Sequence, residues 1–497
     1  MKLALQRRRR GSLLVNTMIL LFLLILTGFA FMRWAADEVY QADFDLARTQ
    51  AYYIAMQGAL QQGMVYLRSR SVEELPPHEV PFRPGSNEVY GDYVGRVVSG
   101  NIKPVIDYDE TVSEFEQRRE YTITSTGQVN FFDGTSGRTV PVRRSVQMRV
   151  RLRSYANYMY LTNYETTRFG EVIWFWTPDT LYGRVHSNEQ IAIKMSPRFL
   201  GPVSTTADDF LHGSGYNPYF AFEPQFNVPP VHFPETLSEL RNAAGAYGHY
   251  LDNNGGLLQT RIIAENGGWR YMQWAVGAPF DSTALVSEGN IAYGNNVVIF
   301  IEGRAEVAGD WVTGRSSIGT EGNMFLIDNI KYADVNLTTD PQIPEGSGNM
   351  LGLISESNII VANTTPNGRG NGRTYATGYG DHSRQHIVIT AALVALGESF
   401  TFENQNDTWD AYVFCDPAGE HPGESDERGT IFLRGAVAQY RRGYVHRGVN
   451  NCGGTGYAKD YSYDFRLQTN PPPIYLTARD DRGNGLFDIL SVQELDP

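Results

Sequence analysis

The chain has 497 residues, of which 42% are hydrophobic and 12% aromatic, and its formal net charge is −13. This length and apolar content are sufficient for two or three folded units with substantial cores, so a largely disordered chain is excluded. The acidic balance argues against a nucleic-acid partner, because phosphate contacts require a basic surface.

The N-terminus carries a membrane signal. Four arginines at positions 7–10 are followed by twenty residues without a charge, positions 13–32. A helix of that length spans the roughly 30 Å hydrocarbon core of a bilayer, and clustered arginines remain in the cytoplasm. We therefore expect a single-pass inner-membrane protein whose remaining chain lies outside. A cleaved secretory signal, with Gly28 and Ala30 as its small-x-small cleavage site, is the alternative, but the apolar stretch exceeds the about 7 to 15 residues usual for that role.

Gly11 and Ser12 separate the arginines from the apolar stretch. A basic leader that ends in glycine and continues into a long apolar helix resembles the leader of type IV pilins, which a prepilin peptidase cuts after the glycine. The resemblance implies that Ser12 is the first mature residue and that prepilin peptidase is a partner. Asn16 occupies the fifth mature position, where most major pilins carry glutamate, so the resemblance points to a minor or accessory pilin-like protein.

A second stretch, ARTQAYYIA at positions 47–55, resembles the segment that follows the apolar helix in proteins with a PilX N-terminal domain. The resemblance covers about the first 70 residues. It implies a location in the bacterial cell envelope, with the membrane and other pilin-like subunits or pilus and secretion assembly proteins as partners.

The apolar helix is predicted to continue beyond the membrane to residue 75. Positions 33–75 contain no proline and keep a helical pattern until Pro76 and Pro77 end it. Small residues recur at every fourth position of this segment, namely Ala47, Ala51, Ala55, Ala59 and Gly63. Such a stripe lets another backbone approach closely. It indicates packing either against the protein's own sheet or against neighbouring pilin-like helices in a filament.

Between positions 78 and 160 the hydrophobic period changes to two. Positions 121–125 and 140–152 are predicted strands, and apolar residues alternate strictly with polar ones from Ser145 onward. The predicted organisation therefore begins with a basic leader (1–11), a transmembrane and extended pilin-like helix (12–75) and a small antiparallel β domain (78–160).

The rest of the chain repeats one short phrase three times: SNEQIAI at 187–193, SEGNIAY at 287–293 and SESNIIV at 355–361. Each copy indicates a polar turn that begins a strand. Stacked coils of a β-solenoid place such amides above one another in hydrogen-bonded ladders. Because the copies are unevenly spaced, we predict an irregular β-solenoid with insertions at 161–478, followed by a C-terminal tail at 479–497. The predicted fold class is mainly β with a long N-terminal α-helix, and a β-sandwich is the alternative to the solenoid.

The solenoid region also carries a resemblance. The phrase LYGRVHSN at 181–188, and a closing segment that runs from Gly435 to the prolines at 471–473, resemble the ends of a β-helical domain of uncharacterised function found behind PilX-type leaders. The resemblance covers about residues 155 to 478. It implies an architecture and no chemistry.

Motifs for chemistry are weak. Positions 368–372 are glycine-rich but lack the Lys-Ser/Thr pair of a phosphate-binding loop. His382 and His386, beside Asp381, would share a ligand only on a helix, whereas the pattern there predicts a strand. Positions 480–488 faintly resemble a calcium loop, but their spacing departs from the EF-hand and favours a solvated acidic turn. We therefore predict no catalytic residue, no metal and no cofactor.

Cys415 and Cys452 are the only cysteines. In an oxidising exterior they are expected to form one disulfide that closes a loop across a glycine-rich stretch. Two unpaired thiols are the alternative, because sequence spacing does not show that the two β-carbons meet.

Two functional classes fit these features. The first is a membrane-anchored, pilin-like surface protein that serves assembly, adhesion or secretion and is not an enzyme. The second is a membrane-tethered enzyme or binding protein acting on polysaccharide. An enzyme would need paired acids, or a base beside a cation, on adjacent coils. Tryptophans such as Trp174 and Trp176 also suit stacking on sugars. We favour the first class.

Overall fold

The computed structural model describes residues 7–69, 80–82, 87–90, 93–105, 120–134, 136–367, 386–403, 426–448 and 454–495. The chain divides into two compact units. The first comprises Met1–Ile106, Arg119–Arg151 and Phe487–Pro497, and the second comprises Asp107–Arg118 and Leu152–Leu486. The predicted fold class is confirmed, since one long N-terminal helix precedes a small antiparallel sheet and a large β structure.

The first unit begins with a long helix. α1 (Arg7–Gln57) continues through a π-helical turn (Gly58–Gly63) into α2 (Met64–Arg68). The helix contains an 18-residue window with a mean hydropathy of 2.4, and none of that window is buried, so it is long and apolar enough to cross a membrane. The hydroxyls of Thr17 and Thr27 donate to carbonyl oxygens one turn earlier, which pairs these polar groups within the apolar stretch.

Six strands form the sheet of this unit: β1 (Val80–Phe82), β2 (Asn87–Tyr90), β3 (Tyr93–Val105), β4 (Glu120–Asp133), β5 (Arg138–Leu152) and β30 (Phe487–Leu495). Their order is β1-β3-β4-β5-β30, with β2 paired to β3, and the pairings among β1 to β5 are antiparallel. Val146, Met148 and Val150 are fully buried, as the alternation on β5 predicted. The segment 479–497, described from the sequence as a tail, contributes β30 to this sheet.

The small-residue stripe of the helix lies against the sheet of the same unit. All five of its residues are buried: Ala47, Ala51, Ala55, Ala59 and Gly63. Gly127 on β4 makes the closest approach, because a β-carbon there would lie 2.0 Å from the Ala51 carbonyl oxygen and 2.6 Å from the Ala55 nitrogen. A β-carbon at Gly63 would lie 2.5 Å from Ile123 Cγ2. The helix and sheet are therefore in backbone contact, and this face of the helix is occupied.

Short strands build the second unit, together with α3 (Ser238–Tyr247). They are β6 (Tyr160–Tyr164), β7 (Thr180–Leu181), β8 (Val185–Ser187), β9 (Ala192–Ile193), β10 (Arg198–Phe199), β11 (Val203–Thr205), β12 (Leu211–His212), β13 (Tyr219–Phe220), β14 (His249–Leu251), β15 (Leu258–Glu265), β16 (Gly268–Ala275), β17 (Ser287–Ala292), β18 (Val297–Ile301), β19 (Ala305–Val312), β20 (Arg315–Thr320), β21 (Met324–Tyr332), β22 (Met350–Ser355), β23 (Ile359–Val361), β24 (Ile387–Ile389), β25 (Ala392–Ala395), β26 (Phe400–Phe402), β27 (Asp426–Arg441), β28 (His446–Gly448) and β29 (Gly454–Tyr463).

Most of these strands stack in three parallel ladders. The first ladder runs β14-β18-β20-β22-β25-β27-β6-β8-β11. The second contains β15, β19, β21, β23 and β26. The third contains the later parts of β19 and β21, followed by β24, β27 and β29. Parallel pairing between strands one coil apart is the pattern of a solenoid, whereas a sandwich pairs antiparallel neighbours.

The first ladder carries a continuous apolar column inside the solenoid. Registered residues follow one another from coil to coil in the order Ile299, Ile318, Leu353, Leu393, Val437, Tyr160, Val185 and Val203. Each is at most 8% exposed. Side chains of similar size at equivalent positions pack directly on one another, so every coil buries its apolar side chains against the next.

The chain enters this stack in its middle. β6 pairs with β27, and β8 and β11 extend the ladder outward from β6. After α3 the chain resumes with β14 at the opposite end of the ladder, and successive coils return to β27. The sequence separation between paired residues grows along the ladder, from the pair Val297 and Ser316 to the pair Ser316 and Leu351 and then to the pair Ala392 and Ala436. Insertions therefore lengthen the later coils. The insertions and the entry point account for the uneven spacing of the repeated phrase.

Two copies of the phrase occupy the same corner of the solenoid. Ser187 and Ser355 are buried at the ends of β8 and β22, in strands of one ladder. In the later copy, Asn323 Oδ1 accepts hydrogen bonds from Ser357 Oγ (2.7 Å) and Asn358 Nδ2 (3.1 Å), as expected for a ladder of polar side chains. The middle copy differs, because β17 pairs antiparallel with β16 in a hairpin. The expectation that each copy marks a stacked turn is therefore wrong for 287–293.

Candidate functional site

Several residues singled out in the sequence yield no site. Gly11 and Ser12 lie within α1. Cys415, Cys452 and His382 lie outside the described residues, as does the glycine-rich stretch 368–372. The ring of His386 packs edge-on against that of Phe432, with 5.4 Å between the ring centroids. Among the residues that the structure describes, no group of three or more His, Cys, Asp or Glu side chains is arranged to hold a metal ion.

The acidic segment at 480–488 forms a turn in which the Asp480 carboxylate accepts hydrogen bonds from residues of the same turn. Asp480 Oδ1 accepts hydrogen bonds from the backbone nitrogens of Arg482 (2.9 Å) and Asn484 (2.8 Å), and Asp480 Oδ2 accepts from Asn484 Nδ2 (3.0 Å). The Asp480 nitrogen donates to the Asn484 carbonyl oxygen, which closes the loop. The carboxylate therefore stabilises a tight turn.

His186, which belongs to the phrase LYGRVHSN, is a buried structural residue. Its Nε2 donates to Asn188 Oδ1 and its Nδ1 accepts from the Ser204 hydroxyl, each over 2.9 Å. Burial lowers the pKa of His186 to about 4, although the hydrogen bond to Asn188 acts in the opposite direction. The imidazole is therefore neutral near pH 7 and holds two adjacent coils of the first ladder together.

A cleft of about 910 Å³ opens in the second unit beside the junction of β27 with β6. One wall is the connection between β6 and β8, residues 172–182. The opposite wall consists of residues 442–446, which follow β27, and residues 457–461 of β29. Lys194, just after β9, also lines the cleft, together with Tyr160, Phe400 and Gln439. The cleft thus lies where the first and last coils of the chain meet.

A buried ion pair holds the first wall in place. Arg442 Nη1 lies 2.8 Å from Glu165 Oε2, and the two side chains are 3% and 2% exposed. The same Arg442 nitrogen donates to the Ile173 carbonyl oxygen (2.9 Å), and its guanidinium lies 3.7 Å from the centroid of the Phe175 ring. Although burial opposes the charged form, the nearby carboxylates of Glu165 and Asp179 raise the pKa of Arg442. This arginine is a positioning residue for the aromatic segment 173–176.

Tyrosine side chains form the floor of the cleft. The Tyr160 hydroxyl accepts a hydrogen bond from Gln439 Nε2 over 2.7 Å, whereas the buried Tyr461 hydroxyl has no hydrogen-bond partner among the described residues. Burial raises the pKa of both phenols above the usual range, so both keep their protons at any physiological pH. Tyr461 therefore places a buried polar group without a described partner beside the lining of the cleft.

Two tryptophans and a lysine form the rim. Lys194 Nζ lies 5.3 Å from the centroid of the Trp176 ring and 6.0 Å from that of Trp174. Gly213 leaves room for the Trp174 ring, because a β-carbon there would lie 2.7 Å from both Trp174 Cζ3 and Lys194 Cβ. Trp176 is 42% exposed and offers the accessible ring. Within the described part of the chain, Lys194 has no carboxylate partner.

The acids that line the cleft are already paired. Asp179 Oδ1 lies 2.7 Å from Lys459 Nζ, and Asp460 Oδ1 lies 2.9 Å from Arg434 Nη1. Arg434 also donates to the Asp460 carbonyl oxygen. Glycoside hydrolysis needs one protonated and one ionised acid facing the substrate, and both of these carboxylates are bound to cations. Among the described residues that line the cleft, the carboxylates are therefore engaged with cations, and the aromatic rings and hydroxyls remain as groups that can contact a polar ring compound.

The sequence identified only part of this cleft. Trp174 and Trp176 were noted as sugar-stacking candidates, and Trp269 and Trp274 are buried. Lys194 and the floor tyrosines were not singled out. Their local patterns resemble those of ordinary strand residues, and only the parallel pairing of β27 with β6 brings them together.

Comparisons with known proteins give limited information. Residues 117–208 match the model of a domain of unknown function, DUF4900. The matched segment includes β4 and β5 of the first unit and β6 to β11 of the solenoid. No curated protein and no solved structure matches the chain.

Proposed function

We propose that the chain is a membrane-anchored, pilin-like protein of the bacterial cell envelope, a minor or accessory component of a type IV pilus or a related secretion or adhesion machinery. The arginines at positions 7–10 keep the N-terminus in the cytoplasm, and the apolar part of α1 spans the inner membrane. The solenoid is then presented in the periplasm or on the cell surface. Other pilin-like subunits are the partners of the helix.

An exposed apolar stripe on α1 and the π-helical turn that follows it carries this proposal. Val39, Leu46, Tyr53 and Leu60 are 61%, 47%, 66% and 41% exposed, and they recur every seventh residue. A seven-residue spacing keeps side chains on one face of a helix. At about 100° per residue, this face points away from the stripe of Ala51, Ala55 and Ala59 that contacts the sheet. The extramembrane helix thus has a buried small-residue face and, on another side, a row of exposed apolar residues between which Asp43, Gln50 and Gln57 also lie.

The same stripe continues into the membrane-spanning part. Met32, Ile25 and Met18 extend the seven-residue spacing toward the N-terminus and are likewise exposed. Outside the bilayer, a contiguous exposed apolar surface usually marks an interaction site. Inside the membrane the apolar residues are exposed on every side of the helix, so the row outside the membrane is the observation that favours other pilin-like subunits as partners.

In-cell photocrosslinking tests the proposal. A photoreactive phenylalanine analogue replaces Tyr53 on the stripe or, as a matched control, the exposed Gln41 on another face of the helix. We expect light-dependent adducts with pilin-like proteins from position 53 and few from position 41. Equal yields at the two positions, or adducts only with proteins that are not pilin-like, would contradict the proposal.

The mature N-terminus gives an independent test. Intact mass and N-terminal peptide mapping on protein from purified envelopes should give a start at Ser12, as cleavage by prepilin peptidase requires. A start near Phe31 would indicate a released secreted protein and would remove the anchored, pilin-like model. A start at Met1 would contradict the peptidase as a partner and leave a simple membrane anchor.

A further inference from the structure

We propose that the cleft at the junction of β27 and β6 binds an acidic polysaccharide, with Trp176 stacked on a sugar ring and Lys194 paired with a sugar carboxylate. The inference adds a ligand to the proposed display of the solenoid outside the membrane, and it rests on that proposed function only for access to polysaccharide. The binding itself depends on the second unit alone.

The shape and lining of the cleft fit a saccharide. A volume of about 910 Å³ accommodates several sugar rings. Sugars present an apolar C–H face that packs on aromatic rings and a rim of hydroxyls that need hydrogen bonds. Trp176 and Tyr182, which are 42% and 45% exposed, supply rings, and both line the cleft. The Tyr461 hydroxyl is the buried group that needs a partner.

The charged side chains of the cleft favour an acidic sugar over an uncharged one. The described cations of the cleft differ in whether they have a carboxylate partner. Lys459 and Arg442 in the cleft are bound to Asp179 and Glu165. Lys194 has no carboxylate partner among the described residues and lies against the rings of Trp174 and Trp176. A ligand carboxylate beside Lys194 forms a charge-assisted hydrogen bond and leaves the existing ion pairs intact.

Neighbouring side chains hold the aromatic lining of the cleft in place. Arg442 fixes the backbone of residues 173 and 174 from below, and Gly213 admits the Trp174 ring beside the lysine stem. A rigid support lowers the entropic cost of binding, because the aromatic rim is already ordered before the ligand arrives. The acids that would repel an anionic ligand are each neutralised by a basic partner.

Binding by the full-length protein in detergent micelles tests the inference. Oligomers of glucuronate, galacturonate and mannuronate are titrated by calorimetry and by quenching of tryptophan fluorescence, with uncharged gluco- and manno-oligomers of equal length as controls. We expect at least one uronate oligomer to bind at least tenfold more tightly than its uncharged counterpart, and its affinity to fall with added salt. No binding by any uronate oligomer, or equal affinity for uncharged oligomers, would overturn the inference.

Variants place the ligand in the cleft. Lys194→Gln should weaken uronate binding roughly tenfold and leave the affinity for uncharged oligomers unchanged. Trp176→Ala should weaken both by roughly fivefold to tenfold, since stacking does not depend on the carboxylate. Arg482→Gln, at an exposed cation of the acidic turn, and Trp311→Ala, 50% exposed on β19, are the matched controls and should bind as the unmodified protein does. Uronate binding that survives Lys194→Gln would overturn the inference.

These results are separable from the test of the proposed function. Photocrosslinking through position 53 reports on the helix, and oligosaccharide binding reports on the solenoid. A protein that crosslinks to pilin-like subunits but binds no uronate retains the proposed function and loses this ligand. A protein that binds uronate without such crosslinks keeps the ligand and loses the pilin-like assembly.

Discussion

The two units of the protein bury their residues by opposite means. In the first unit, small side chains bring a helix and a sheet into backbone contact, as at Gly127 and Ala51. In the solenoid, stacked aliphatic side chains such as Ile318, Leu353 and Leu393 fill the interior coil by coil. Added atoms at the helix–sheet contact should destabilise the first unit, and removal of core atoms should destabilise the solenoid. Substitutions that add or remove a few atoms should therefore act differently in the two units.

The largest effect is expected at the buried ion pair of the solenoid. Arg442→Met leaves Glu165 buried without its cation and should lower the free energy of unfolding by about 4 kcal/mol. Urea unfolding followed by tryptophan fluorescence reports on this unit, because six of the seven tryptophans lie in it. The double variant Glu165→Gln, Arg442→Met removes both charges and should recover part of the loss. A single variant as stable as the unmodified protein would show that the pair contributes nothing to holding the cleft.

Removal of a core side chain from the solenoid ranks next. Leu353→Ala deletes atoms from the middle of the apolar column and should cost about 3 kcal/mol, again measured by urea unfolding with tryptophan fluorescence. Leu257→Ala, at a residue that is 64% exposed, is the matched control and should change stability little. Similar losses for the two variants would mean that the column is not the principal core.

Acid should destabilise the solenoid through His186. The folded pKa of about 4 lies below the usual value of 6.5, so the unfolded chain binds the additional proton between these two pH values. Stability is therefore full above about pH 6.5 and falls as the pH drops toward 4, by at most about 3 kcal/mol from this group. His186→Gln should show a smaller decrease between pH 7 and pH 4. Parallel pH profiles for the two proteins would refute the assignment.

The smallest effect is expected where the first unit allows no additional atom. Gly127→Ala places a methyl group against the helix backbone and should cost about 2 kcal/mol. Hydrogen exchange of the β4 amides measures it, because the single Trp34 of this unit is a poor reporter. Gly134→Ala is the matched control, since a β-carbon there meets nothing within 4 Å. Unchanged exchange in Gly127→Ala would show that the helix moves away from the sheet at little cost.

The sequence was informative wherever the structure repeats locally. Alternation on β5 predicted its buried face, and the phrase SESNIIV predicted a stacked turn at Asn358. The junction that forms the cleft was not predictable in this way. Gln439 donates to the Tyr160 hydroxyl across 279 positions of sequence, and no periodic pattern connects such distant strands. The role of Lys194 likewise depends on which acids lie near it in space, and a single sequence does not contain that information.

The entry of the chain into the middle of its own stack has a consequence for biosynthesis. β6, β8 and β11 are among the first solenoid strands to leave the ribosome, yet the inner edge of β6 pairs only with β27, near the end of the chain. Solenoids whose coils follow one another in order can grow vectorially as they appear, each coil templating the next. Here the earliest coils present an open strand edge until most of the chain has arrived. Until β27 is synthesised, that edge is therefore open to pairing with other chains, and this is the kind of edge that chaperones protect.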